Sequence, residues 1–289
     1  MQLVETVSDL RAALSAQTET AFVPTMGNLH AGHISLIELA KQHGRPVVVS
    51  IFVNPLQFGE TEDFARYPRT LDADCDKLAA AGCDLVFAPD VTELYPVPQT
   101  FSVQPPANLT DDLCGAFRPG HFSGVATVVM KLFHLVQPRV AIFGRKDFQQ
   151  LLMIRELVRQ FNLPIEIIAG DTLREADGLA MSSRNGFLSD SERIQAVALY
   201  GQLRGIVEAI TQGEGDYEAL VAHTQKYLKM AGWCVDYIAV RDADNLQAVH
   251  AHSRQIVILG AAWLGKTRLI DNIECPLPDR KLDRAADTA

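Results

Sequence analysis

Apolar positions along this chain fall into two rhythms. In the first, short unbroken apolar runs alternate with longer stretches whose apolar residues recur every three or four positions. Residues 21–25, 46–53 (Pro-Val-Val-Val-Ser-Ile-Phe-Val), 85–88, 140–143 and 165–168 are the short runs. Unbroken runs of this length suit strands buried on both faces of a parallel sheet. Between them, residues 30–42 read as a helix with Gly44 beyond its end, 71–81 as a helix stopped by Gly82, 125–136 as a helix ending before Pro138, and 148–161 as another. Strands and helices alternating at this spacing predict β-α-β units. In such sheets the ligand crevice lies beyond the carboxyl ends of the strands.

After about Thr172 the rhythm changes. A loop of small and polar residues, 174–185, leads to Ser189 with Glu192 three positions on, the sequence sign of a capping box opening a helix. A second helix is expected after Asp216, ending near Gly232, and then strands at 235–240, 255–259 and 267–273. The expected fold class is therefore α/β: a Rossmann-like parallel-sheet domain over residues 1–175, then a smaller C-terminal α+β lid domain over 176–289 with a short antiparallel sheet. The boundary is expected near 171–177, and residues 279–289 are expected to fray.

Composition narrows the function. A chain of 289 residues has room for two ordinary domains. A net charge of −9 argues against nucleic acid as the main partner, because phosphate backbones are bound by positive charge. The start shows no basic segment followed by an apolar core, so no secretory signal is read there. The most apolar late stretch, residues 256–264, is about half the ~20 residues that cross a bilayer, so no membrane partner is expected. Five scattered cysteines without a C-x-x-C pair fit reduced thiols in a cytoplasm.

Four segments carry candidate chemistry. Residues 24–33 (PTMGNLHAGH) lie between the first clear strand and its helix. Gly27 and Gly32 allow close backbone approach. The helix start offers free N–H groups and a dipole to an anion, and His30 and His33, three apart, share a helical face. Taken alone, two histidines near a turn equally fit a simple cap. Gln57, past the end of the 46–53 run, offers donors and acceptors to a substrate bearing hydroxyls and a carboxylate. Gly144-Arg145-Lys146-Asp147 repeats the strand–turn–helix placement, with Lys146 suited to phosphate oxygens. Met181-Ser182-Ser183-Arg184 sets two hydroxyls and a guanidinium together, a grip for phosphate or an ordinary polar loop. Asp72 and Asp76 share one face of the 71–81 helix and Asp74 does not.

These residues carry a resemblance. The H-x-G-H string in this position resembles the class I nucleotidyltransferases, which attack the α-phosphate of a nucleotide, and the longer PTMGNLHAGH resembles the pantothenate synthetase family. So do FVNPLQF (52–58), YPRT (67–70), RPGHF (118–122) and GLAMSSRN (178–185), in the family's order and over most of the chain from residue 21 to 190. The resemblance implies ATP-dependent joining of pantoate to β-alanine through a pantoyl adenylate. It implies an ATP site built from Met26, Gly27, Asn28, Leu29, His30, Ala31, Gly32, His33, Gly144, Arg145, Lys146, Asp147, Leu173, Met181, Ser182, Ser183 and Arg184. Within that set it gives catalytic roles to His33, His30, Lys146 and Arg184. Gln57 and Gln150 would hold pantoate, with Gln57 also meeting β-alanine and Asn54 completing the site. Asp74 would stand near Mg²⁺, and the implied assembly is a homodimer. Arg118 and His121 would belong to a lid or to the dimer-side wall. Two positions depart from the family: Arg145 replaces its usual glutamate, and Leu173 its usual valine.

Competing readings remain open at this point. Another H-x-G-H nucleotidyltransferase would release a nucleotidylated product, and a non-enzymatic module would bind ATP without turnover. Residues 260–267 (GAAWLGKT) also match the phosphate-loop pattern through Lys266. That pattern needs a helix after it, whereas residues 268–274 are short, β-leaning and stopped by Pro276 and Pro278. A strand–turn–strand with an accidental match is expected.

Overall fold

The valine-rich run becomes a central strand whose Val47, Val48 and Val49 are wholly buried. A computed structural model describes residues 1–59, 62 and 64–277; the segment 279–289 lies outside the described residues. The chain divides into two compact units, Met1–Phe187 and Leu188–Ala289. Residues 176–187, which the sequence rhythm assigns to the second domain, fall in the first unit.

In chain order the first unit contains β1 (Gln2–Val4), α1 (Val7–Leu14), β2 (Ala21–Thr25), α2 (Ala31–Ala40), β3 (Val47–Ile51), α3 (Leu71–Ala80) and β4 (Leu85–Phe87). Three four-residue helical turns follow, α4 (Val91–Leu94), α5 (Ala107–Thr110) and α6 (Cys114–Phe117). Then come α7 (His121–Val136), β5 (Val140–Gly144), α8 (Phe148–Gln160) and β6 (Glu166–Gly170). The six strands form one sheet in the order β1-β4-β3-β2-β5-β6, with every pair parallel, as the apolar runs predict. The chain leaves β2 toward β3 on one side, while β5 lies on the other. That reversal beside β2 is where a crevice opens in such sheets.

The core beneath it is fully buried: Val23, Val47, Val49, Val86 and Val140 have no exposed surface, and Ile37 of α2 packs against them. α2 lies close to the sheet, since a Cβ on Gly170 would meet Leu36 Cδ2 at 2.2 Å. The first two elements carry little sequence signal, because β1 is three residues long and largely exposed. α7 begins a turn earlier than its apolar period indicates, after Gly120 in the left-handed region.

The second unit holds α9 (Asp190–Gln195), α10 (Val197–Thr211), α11 (Tyr217–Met230), β7 (Cys234–Asp242), β8 (Gln255–Leu264) and β9 (Thr267–Pro276). The expected capping box of Ser189 and Glu192 opens α9. β7, β8 and β9 form the antiparallel sheet, each longer than its sequence signal. Leu264 pairs with Thr267, so Gly265 and exposed Lys266 are merely a hairpin turn, and the strand β9 rather than a helix directly follows the phosphate-loop match.

One contact in the first unit fixes the geometry of everything beside the crevice. After β2 the backbone takes two left-handed residues in succession, Gly27 (φ 81°) and Asn28 (φ 51°). Glycine and asparagine are the residues that tolerate this region. Successive N–H groups in such a turn point into a common concavity suited to an anion. The anion is internal: Asp74 of α3 accepts from Asn28 N–H at 2.8 Å and from Leu29 N–H at 2.8 Å, with Thr70 Oγ1 donating to it at 3.0 Å. Lys77, one turn along α3, donates to Leu29 C=O at 2.7 Å. Asp74 has no exposed surface, so these bonds replace water entirely. Changing Asp74→Asn keeps one acceptor but sets an amide N–H₂ against a backbone N–H. We expect a loss of about 2 kcal/mol in stability for that buried mismatch, read by urea denaturation of the full chain. An unchanged unfolding midpoint would mean that the bend holds its own shape.

Candidate active site

Beyond the carboxyl ends of β2 and β5 lies a cavity of about 230 Å³. Of the residues assigned from the sequence, Met26, His30, Gly32, His33, Asn54, Gln57, Gly144, Lys146, Asp147, Gln150, Leu173, Met181, Ser182, Ser183 and Arg184 line it. They come from five separated segments, which the topology brings to one end of the sheet. The serine loop is tied directly to the histidine bend, Ser183 Oγ donating to Asn28 C=O at 3.0 Å. Arg184 lies over the Tyr67 ring, 6.0 Å from its centroid. Lys146 is mostly buried beside Asp147, with 3.9 Å between their charged atoms.

The two imidazoles sit 4.0 Å apart, centroid to centroid, at the start of α2. His30 is the N-cap, and its Nδ1 accepts from Gly32 N–H at 3.1 Å. His33 reaches back so that its Nδ1 accepts from His30 N–H at 3.2 Å. Together they form a capping box made of histidines, a reciprocal arrangement usually built from a hydroxyl and a carboxylate. Gly32 is required for it: a Cβ there would lie 2.9 Å from both Cε1 and Nδ1 of His30.

This cap determines the chemistry. An Nδ1 that accepts from a backbone N–H cannot itself carry a proton, so a neutral ring holds its hydrogen on Nε2. Both rings are neutral. Burial pushes the His30 pKa down to about 4, helped by the Lys146 charge. Burial pushes His33 to about 3, with the neighbouring His30 next in effect. The site therefore offers two neutral Nε2–H donors side by side.

That narrows one expectation, the offer of free backbone N–H groups from the helix start to an anion, because four of those groups are occupied within the protein. The N–H groups of Asn28 and Leu29 bind Asp74, and those of His30 and Gly32 bind the imidazoles.

The remaining assigned residues stand outside the lining. Leu29 is buried in the core cluster, Ala31 is exposed on α2, and Gly27 and Asn28 shape the bend. Arg145 turns to Asp171, its Nε 3.2 Å from Oδ1, at the end of β6. Asp74 does not fit the metal-ligand role assigned to it: its oxygens already serve backbone N–H groups and Thr70, and it has no surface toward the cavity. Among the described residues no group of three or more His, Cys, Asp or Glu is placed to hold a metal.

Other lining residues carry no site assignment from the sequence, although Phe52 and Tyr67 lie within the quoted motifs. Val125, Val128, Val129 and Leu132 of α7 form an apolar wall, joined by Phe52, Tyr67 and Thr172. The helical period marks those valines as a buried face without showing that part of it faces a cavity. Arg118 and His121 bind the neighbourhood of Gln57. His121 Nδ1 lies 2.8 Å from Gln57 C=O, while Arg118 Nη1 meets His121 Nε2 at 2.9 Å and Arg118 Nε pairs with Glu62 at 2.6 Å. Burial, with the Arg118 charge next, lowers the His121 pKa to about 4.

The family model for pantoate–β-alanine ligase matches residues 2–274 of this chain. The pantothenate synthetase of Thiobacillus denitrificans is 67% identical over 274 residues, covering 95% of this chain and 97% of that protein. Among solved structures, pantothenate synthetase from Thermus thermophilus superposes with a TM-score of 0.90 at 45% identity, covering 94% of this chain and 99% of that one. A pantoate–β-alanine ligase from Francisella tularensis, solved as a complex with a β,γ-ATP ligand and β-alanine, gives 0.78 at 34% identity, covering 94% and 97%. The H-x-G-H bend, the parallel sheet that presents it and these matches along nearly the whole length agree, and the chain belongs to the pantoate–β-alanine ligase family.

Proposed function

We propose that this protein condenses pantoate with β-alanine at the expense of ATP, forming pantothenate and releasing AMP and pyrophosphate. The observation that carries the reading is the pair of neutral imidazoles whose Nδ1 atoms are both committed to backbone N–H groups.

In the first step the pantoate carboxylate attacks the α-phosphorus of ATP, a phosphorus–oxygen bond forms, and pyrophosphate leaves. The nucleophile is already ionised at neutral pH, so no general base is needed. What the step requires is alignment of two anions and donors for the charge that grows on the non-bridging oxygens. His30 and His33 supply the donors. Lys146 and Arg184 supply positive charge toward the leaving phosphates, with Ser182 and Ser183 beside them. Gln57 and Gln150 hold the acid, with Asn54 buried behind Gln57 rather than in direct contact, and the apolar wall of Val125, Val128 and Val129 suits its dimethyl-substituted carbon. In the second step the amine of β-alanine attacks the acyl carbon, AMP departs and the amine proton is lost to solvent. Mg²⁺ enters this reading as the companion of ATP rather than as a resident ion on Asp74. Homodimeric assembly and a cytoplasmic place of action belong to the same proposal and rest on the motif resemblance alone. No described helix is long and apolar enough to cross a membrane.

Pyrophosphate release with ATP and pantoate, measured with and without β-alanine, tests the reaction. Release without the amine, limited to a single turnover, is expected, and steady turnover to pantothenate with it. No release with pantoate under either condition would end the proposal. Replacing His33→Ala should slow adenylation roughly 10²–10³-fold, the usual loss of one well-placed transition-state donor; a folded variant within a few-fold of the parent would remove His33 from its role.

Acid should act on stability as well as on rate. The unfolded imidazoles bind a proton near pH 6.5, whereas His30, His33 and His121 resist protonation until about pH 3–4. Between those limits the unfolded chain takes up protons that the folded chain refuses, so stability falls as pH drops from about 6.5. Ring signals of these three histidines should stay in the neutral form at pH 5.5 in heteronuclear NMR. A titration midpoint near 6.5 for His30 or His33 would contradict the proposed neutral pair.

A further inference from the structure

We propose that Tyr95 and Asn54 form a relay that fixes which end of the Gln57 amide faces the cavity, so that Gln57 offers hydrogens to the acid substrate. The inference rests on the reading of Gln57 as a pantoate contact. It assigns to Tyr95, at the end of α4 and outside every motif noted in the sequence, the part of a positioning residue.

The argument begins with groups that have no choice. Asn54 is 1% exposed. Its Oδ1 faces Leu56 N–H at 3.3 Å, and a backbone N–H can only donate. Its Nδ2 faces Gly124 C=O at 3.2 Å, and a carbonyl can only accept. These two contacts fix the orientation of the Asn54 amide. The Tyr95 hydroxyl, 2.8 Å from the same Oδ1, must therefore donate to it. Burial raises the Tyr95 pKa above its ordinary value, which keeps the phenol protonated as a donor. The second hydrogen on Asn54 Nδ2 goes to Gln57 Oε1 at 3.1 Å.

Gln57 has then committed its oxygen to Asn54. Its Nε2 faces the other way, toward Met26 Sδ at 3.1 Å in the cavity wall. A thioether is a weak acceptor, so a carboxylate or hydroxyl oxygen displaces it at little cost. The relay depends on close packing of α7 against the turn at Pro55–Gln57: a Cβ on Gly124 would stand 2.2 Å from Leu56 C=O oxygen. Tyr95 is held in turn by the Phe52 ring at 5.9 Å and by Lys131, whose Nζ lies 4.6 Å over its own ring.

A double-mutant cycle on the full-length enzyme decides the matter. Tyr95→Phe removes the first donor, and Asn54→Asp removes the N–H that occupies Gln57 Oε1, leaving the glutamine free to turn its oxygen to the substrate. Tyr95→Phe should raise the KM for pantoate roughly three- to ten-fold, the worth of one neutral hydrogen bond, with the KM for ATP unchanged. Asn54→Asp should raise it further, and the double variant should be no worse than Asn54→Asp, because Tyr95 acts only through Asn54. Additive effects, or equal rises in the KM of both substrates, would overturn the relay and reduce Tyr95 to a packing residue. A parent enzyme that shows no pantoate-dependent pyrophosphate release would instead defeat the functional reading on which the relay stands.

Discussion

A buried carboxylate facing two backbone N–H groups governs the geometry of this site. Asp74 lies on α3, with a helix and a strand of chain between it and the bend it holds, and accepts from Asn28 and Leu29. Without a partner, two successive left-handed residues would present a pair of unsatisfied donors beside the end of a strand, which is costly in a buried place. With Asp74 in position the bend is set, and His30 follows as the N-cap of α2. The imidazole pair inherits its alignment from this contact. The carboxylate is therefore best understood as part of the backbone scaffold, and that accounts for its absence from the cavity wall.

The division between what is legible in the sequence and what is not follows the distance over which each contact acts. Strands announce themselves as unbroken apolar runs because both faces of the sheet are covered, and helices by local periodicity and stop signals such as Gly82 and Pro138. The segments at 24–33, 54–57 and 144–147 are readable because each follows the end of a strand, where chemistry concentrates in an α/β sheet. Asp74 misleads for the opposite reason. Its partners are 45 and 46 positions away, and nothing within α3 distinguishes a carboxylate that caps a distant turn from one that faces solvent or metal. Tyr95 is invisible on the same grounds, 41 positions from Asn54.

Arg145 shows how a departure from a family pattern is absorbed. The position precedes Lys146 in the turn after β5, where a guanidinium would add charge beside the phosphates. Its Nε instead meets Asp171, the residue after β6 and the neighbour of Thr172 and Leu173 in the cavity wall. The pair links the ends of two adjacent parallel strands. A carboxylate at position 145 would repel Asp171, so the arginine and the aspartate are mutually consistent while Lys146 keeps its place in the lining.

Neutral donors suit a site that must bring two anions together. Charged imidazoles would attract ATP more strongly in the resting state, but burying them without a counter-charge costs more than the fold readily supplies, and Lys146 nearby makes protonation harder still. Neutral Nε2–H groups avoid that cost, and in the proposed reaction their contribution would grow as negative charge accumulates on the phosphoryl oxygens during attack. An interaction that strengthens along the reaction lowers the barrier, whereas one equally strong at the outset tightens binding alone. The backbone supports this by occupying both Nδ1 atoms: it fixes the tautomer, and with it the end of each ring that can donate.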